Sequence, residues 1–187
     1  MDAQNALSQA KSKFTQAVEH FREDLKKVRT GRAHASMLDG VIVEAYGTPM
    51  PLNQVASVST PESQQLQITP FDPGNLQAIS TAIRNNPSLG MNPSDDGRVV
   101  RVPVPPLNEE RRREYVKIVN GKVEDCMIAL RNIRHDAMAA VDKAKKAKEV
   151  GEDDASRLQK QVDEAMNQSK SEVESAAKAK EQEILTV

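Results

Sequence analysis

Residues 105–151 read PPLNEERRREYVKIVNGKVEDCMIALRNIRHDAMAAVDKAKKAKEVG. Pro105 and Pro106 break whatever precedes them. Asn108 is a good N-cap, and Glu109 and Glu110 fall where a helix dipole favours negative charge. No proline follows. Apolar or small residues then recur at alternating spacings of three and four: Val116, Val119, Val123, Cys126, Leu130, Ile133, Ala137, Ala140, Ala144 and Ala147. This is a seven-residue repeat, the pattern of a helix packed lengthwise against other helices. Gly151 is the expected stop. About forty helical residues span roughly 60 Å, longer than a compact domain needs.

The same pattern appears upstream and downstream. Near the N-terminus the stripe is Leu7, Ala10, Phe14, Ala17, Phe21, Leu25 and Val28, with Asp2 as a possible cap and Thr30-Gly31 as a stop. After Gly151, Glu152, Asp153 and Asp154 open a helix whose stripe is Leu158, Val162, Ala165, Ser169, Val173, Ala176 and Ile184. None of the three helices can bury its seam alone, so the economical arrangement is a three-helix bundle.

The stretch between the first two helices has a different chemistry. From Gly31 to Val104 there are 4 Arg, no Lys and 6 acidic residues, and this segment holds eight of the 10 prolines. A short RAHASML segment adds one helical turn. VIVEAYG, QVASVS and QQLQITPF have the short, β-branched, partly alternating character of strands, with GTPMP as a loop between the first two. Asp72-Pro73 reads as a cap with proline at the first helical position. Leu76, Ile79 and Ile83 line one face of a short helix. LGMN and RVVRVPV then flank a turn at Pro93–Gly97, where Asp96-Gly97 is a hairpin signal. The fold expected is therefore α+β: an elongated three-helix bundle (1–30 plus 106–187) carrying an inserted small β/α/β domain (31–105). Two chain crossings, at Thr30, Gly31 and Arg32 and at Val104, Pro105 and Pro106, make it L-shaped and hinged.

Of the 187 residues, 38% are hydrophobic and only 3% aromatic, which suits thin helical seams better than one thick core. Catalytic signatures are missing. His20, His34 and His135 have no metal-ligand spacing to another His or Cys. No phosphate-binding glycine loop or nucleophile elbow is present. Asp95-Asp96 reads as a turn rather than a catalytic pair. Cys126, the one cysteine, lies on the apolar stripe and reads as a buried hydrophobe. No disulfide within the chain is possible. The start MDAQNALSQAK lacks the basic and apolar regions of a secretory signal, and no apolar run approaches a membrane span. These features lead to the expectation of a cytoplasmic, monomeric protein with no catalytic residue, cofactor, metal or membrane partner.

A basic helix face is what remains. From Glu109 to Lys148 there are 11 Lys and Arg against 7 Asp and Glu. Arg131 and Arg134 flank the apolar stripe and could present bidentate donors to phosphates. The plainer reading is a solvated surface in which Glu124 and Asp136 balance them. With no aromatic nearby, nucleic acid would be met by backbone and shape rather than base stacking.

Four pieces in order resemble the bacterial ribosome recycling factor family: KKVRTGRAHASMLD (26–39), YGTPMPLNQVASVSTPE (46–62), LGMNPSDDGRVVRVPVPPLNEERRREYVKIV (89–119) and ALRNIRHDA (129–137). The resemblance covers essentially the whole chain. It implies a three-helix bundle with an inserted β/α/β domain. It also implies a non-enzymatic factor that binds in the intersubunit space of the ribosome, against large-subunit ribosomal RNA. With elongation factor G and GTP, such a factor splits post-termination ribosomes and frees the subunits from messenger RNA. The resemblance assigns RNA contact to Arg131 and Arg134, and adds Arg29 and Arg32 near the hinge. Two departures are visible. His135 stands where the family often has arginine, and Met127 where it often has another, which removes charge from the face expected to meet RNA. A helical scaffold or chaperone for protein clients is the competing reading. It requires an exposed apolar patch, and its binding would resist salt where RNA binding would not.

Overall fold

In a computed structural model, which describes residues 3–87 and 89–186, the elements follow in the order α1 (Ala3–Lys26), a 3-10 turn (Ala35–Leu38), β1 (Ile42–Ala45), β2 (Thr48–Pro51), α2 (Leu52–Val55), β3 (Ala56–Glu62), β4 (Gln65–Pro70), a second 3-10 turn (Pro73–Asn75), α3 (Leu76–Arg84), β5 (Ser94–Asp95), β6 (Val100–Pro103), α4 (Glu109–Lys146) and α5 (Glu152–Leu185). The chain divides into two compact units, one built from residues up to Thr30 and from Glu109 onward, the other from Gly31–Asn108. Asp2, expected to cap α1, lies outside the described residues.

The first unit is a bundle of α1, α4 and α5, each packed on the other two. The heptad stripes are its core: Phe14, Val119, Leu130, Val162, Val173 and Ile184 are almost wholly buried. Apolar burial along three seams supplies the driving force that few aromatics could. Val18 and Val141 are buried where the sequence suggested Ala17 and Ala140, because a straight helix drifts relative to a strict heptad. The 38 residues of α4 span about 57 Å.

Gly151 does not end α4. The helix stops at Lys146, and Lys148 takes a left-handed conformation with φ 56°. The Glu149 N–H reaches back to the Ala144 carbonyl, and the Lys148 N–H to that of Lys145. These are the two bonds of a Schellman cap, here built on lysine instead of glycine. Gly151 instead stands at the N-cap of α5.

The second unit has a four-stranded antiparallel sheet in the order β3-β4-β6-β5 and a separate β1–β2 hairpin. Leu66, Ile68, Ile79, Ile83, Val100 and Val102 form its core with Val43 and Ala45. GTPMP, expected as a loop, forms strand β2. Tyr46 and Gly47 both have positive φ, so a two-residue turn of the primed type closes the hairpin with Ala45 opposite Thr48. Pro49 and Pro51 are tolerated because the ribbon has no third strand to receive their missing N–H groups. Gln54 and Val55 belong to α2, and the following strand runs on to Glu62. LGMN is not a strand either: the Leu89 N–H turns back to Asn86, and β5 is only Ser94–Asp95.

Candidate nucleic-acid interface

Arg131, Arg134 and His135 occupy successive positions on the surface of α4, all exposed. The helix holds them in place because Leu130 and Ala137, which Arg134 flanks at spacings of four and three, are locked in the bundle core. Arg131 pairs through Nη1 with Glu124 Oε1 at 3.3 Å. Arg134 does not pair with Asp136. Its Nε donates to Oδ1 of Asp163 on α5, across the helix–helix seam, and both side chains remain close to half exposed. The hydrogen bond and charge of Asp163 raise the Arg134 pKa further, so the cation is permanent. Held at Nε, the guanidinium keeps its terminal nitrogens for an outside acceptor, and a bidentate phosphate contact is what such a fork suits.

Asp163 is the residue that the sequence reading missed. The signal was present: a tight connection near residue 149 makes α4 and α5 antiparallel, which sets residue 134 against residue 163. The same register pairs Lys145 with Glu152 at 2.8 Å, and one turn away Gln159 meets Asp142 at 2.7 Å.

Met127 requires a correction. It is 7% exposed and packs in the bundle core, so it is not a vacant place on the outward face. Its position next to Cys126 widens the buried seam of α4 to two adjacent residues. His135, in contrast, does stand on the surface.

The structure does not gather all the arginines. Arg29 is exposed just beyond α1. Cys126 lies 3.7 Å from the Ala17 carbonyl, and Lys122 acts on Asp24 further along, so α1 runs antiparallel to α4 and Arg29 stands level with the start of α4. That is about 25 Å along the axis from Arg131. Arg32 is exposed in the other unit.

At the crossings, Thr30 is buried and Gly31 has φ 79°. A Cβ on Gly31 would stand 3.2 Å from both the backbone nitrogen and Cγ of Leu107, so the two crossing strands touch here. Val104 is buried in the second unit and donates its N–H to Gln64 at 2.8 Å. Pro105 and Pro106 that follow are exposed.

Among the described residues, no group of three His, Cys, Asp or Glu could hold a metal ion. Burial pushes the Cys126 thiol pKa up, which disfavours the thiolate. Asp95, which ends β5, and Asp96, which follows it, organise the turn: Asp95 accepts the Gly97 N–H, and Asp96 those of Arg98 and Val99. No helix among the described residues is long and apolar enough to cross a membrane.

Residues 21–185 match the family model described as ribosome recycling factor. A ribosome-recycling factor of Corynebacterium jeikeium (strain K411) is 44% identical over 181 residues, 97% of each chain. One from Streptomyces coelicolor is 42% identical over 184 residues, 98% of this chain and 99% of its own. A solution structure of the ribosome recycling factor superposes with a TM-score of 0.77 at 30% identity, covering 100% of this chain and 99% of that one. A second similar structure comes from models of the T. thermophilus ribosome recycling factor and the E. coli elongation factor G bound to the E. coli post-termination complex, with TM-score 0.65, 34% identity and coverage of 99% and 100%.

Proposed function

The chain belongs to the ribosome recycling factor family, and we propose that it splits post-termination ribosomes into subunits together with elongation factor G and GTP. It is a translation factor and not an enzyme; the GTPase supplies the hydrolysis. The reading is carried by the extent of the likeness, which covers nearly the whole chain and so both compact units. It places the protein in the cytoplasm, in the space between the ribosomal subunits.

In this reading α4 lies against large-subunit ribosomal RNA, with Arg134 and Arg131 on phosphates and His135 beside them. Arg29 and Arg32 make separate contacts near the crossings. The bundle is stiff because its core is close-packed, so it can carry a push into an intersubunit bridge. Movement is left to Thr30, Gly31 and Arg32 on one strand and Val104, Pro105 and Pro106 on the other, where a few dihedral changes reorient a whole unit. The prolines restrict the second strand, which favours a limited swing. A scaffold or chaperone role fits less well. Among the described residues the bundle exposes three large apolar side chains, Ile118, Ile128 and Leu185, too few for a broad client-binding patch.

The test is light scattering of post-termination ribosomes with elongation factor G and GTP, with and without this protein. Scattering should fall only when both factors are present. A folded protein that leaves the scattering unchanged beside a cognate GTPase would remove the recycling role.

A further inference from the structure

Two acidic residues pair with the arginines of α4, and they do so in different ways. Glu124 lies on α4 itself, two helical turns from Arg131, and meets the terminal nitrogen Nη1 at 3.3 Å. The two side chains are 59% and 61% exposed, so this long contact restrains little. Asp163 lies on the other helix of the seam, and its Oδ1 accepts directly from Arg134 Nε. Its own backbone is fixed, because Val162 beside it is wholly buried in the bundle core. Nε is the nitrogen nearest the aliphatic stem. A bond there sets the plane of the guanidinium and leaves Nη1 and Nη2 without a hydrogen bond to any described residue.

Stability does not account for Asp163. An ion pair between half-exposed groups contributes little to a fold. The seam between α4 and α5 is already closed by Leu130, Val141, Leu158 and Val162. Simple charge does not account for it either, since a carboxylate on a face that meets RNA repels the phosphates. What remains is its effect on the conformation of Arg134. A free arginine side chain loses several rotatable bonds when it binds, and a guanidinium held beforehand loses fewer.

We propose that Asp163 is a positioning residue: it holds the Arg134 guanidinium by Nε so that the two terminal nitrogens meet a ribosomal RNA phosphate as a fork already aimed. The assignment rests on the recycling function and on the RNA contact of Arg134 proposed above. The binding face then spans two helices, with the donor on α4 and its aim set from α5. Glu124 has no such part, because it occupies a terminal nitrogen of Arg131 that a phosphate would otherwise use. Two carboxylates of equal charge, each paired with an arginine, thus act on RNA affinity with opposite sign.

The experiment measures the affinity of the full-length chain for post-termination ribosomes by pelleting at fixed salt. Asp163→Ala should weaken binding by about three- to tenfold, although it removes a negative charge from the face. Asp163→Asn keeps an oxygen acceptor for Nε and should return affinity to within about twofold of wild type. Glu124→Ala should bind at least as tightly as wild type. In an Arg134→Gln background Asp163→Ala should cause no further loss, because no fork is left to aim. Asp163→Ser, whose hydroxyl is too short to reach Nε, replaces Asp163→Ala if that variant fails to fold. Asp163→Ala that binds as tightly as wild type or tighter, while Arg134→Gln binds more weakly, overturns the proposal and leaves the RNA contact of Arg134 standing. An equal loss from Asp163→Ala in both backgrounds also overturns it, since a purely structural role acts without regard to Arg134. Arg134→Gln that binds like wild type defeats the RNA contact itself. Wild-type protein that binds but splits nothing with elongation factor G and GTP defeats the recycling reading. This assignment falls with either.

Discussion

Lys148 shows how a single backbone conformation can stand where the side chain is unfavourable. It closes the α4 cap at φ 56° and is exposed. Nothing in the cap needs a side chain there; its bonds use backbone groups of residues 144, 145, 148 and 149. Lys148→Gly should therefore stabilise the bundle by about 1 kcal/mol and raise its thermal midpoint by about 2–4 °C. A lower midpoint would mean that the lysine makes a compensating contact. Tyr46 shares the strained conformation, but its hydroxyl donates to Asp72, so the two residues are expected to respond differently to relief.

The elements were legible to different degrees, and the reasons are physical. Long helices declare themselves because their periodicity repeats over many turns, as the stripes through Phe14, Leu130 and Val162 show. Strand β2 was hidden because Thr48–Pro51 holds two prolines, and its pairing depends on the turn at Tyr46-Gly47 rather than on its own pattern. The buried place of Met127 could not be read from a spacing rule that allows one seam residue per step. Of the candidate interface, the arginines were visible as residue types, while Asp163 required the register of two helices. The β5–β6 turn supplies its own test. Backbone N–H groups of Val99 and Arg98, with the Arg101 cation, hold the Asp96 carboxyl below the usual carboxylate range. A depressed folded-state pKa stabilises the fold above the unfolded-state value, and that stability is lost as pH falls through the folded value. The thermal midpoint of the second unit should therefore drop on acidification below the ordinary aspartate range, and Asp96→Asn should flatten that drop. Parallel acid curves for the two proteins would assign the sensitivity elsewhere, Asp72 being similarly held by Gly74 and Tyr46.

In the proposed function the bundle supplies stiffness and the two crossings movement. Gly31 is where this division is most exposed to substitution, because its φ is left-handed and Leu107 leaves little room for a Cβ. Gly31→Ala adds about 1–2 kcal/mol of backbone strain at the crossing. It should slow splitting several-fold while ribosome affinity and the melting of the bundle stay near wild type; normal splitting would argue against movement at this strand. The claim on which the proposed function most depends is that permanent cations on α4 hold ribosomal RNA by its phosphates. The most direct measurement is the salt dependence of ribosome binding for wild type and Arg134→Gln. Each phosphate contact contributes a slope of about −0.7 to −0.9 to log affinity against log salt. Arg134→Gln should bind more weakly at low salt and lose about one such contact from the slope, with the bundle still folded. Equal affinity and an equal slope would contradict the assignment of Arg134 to RNA.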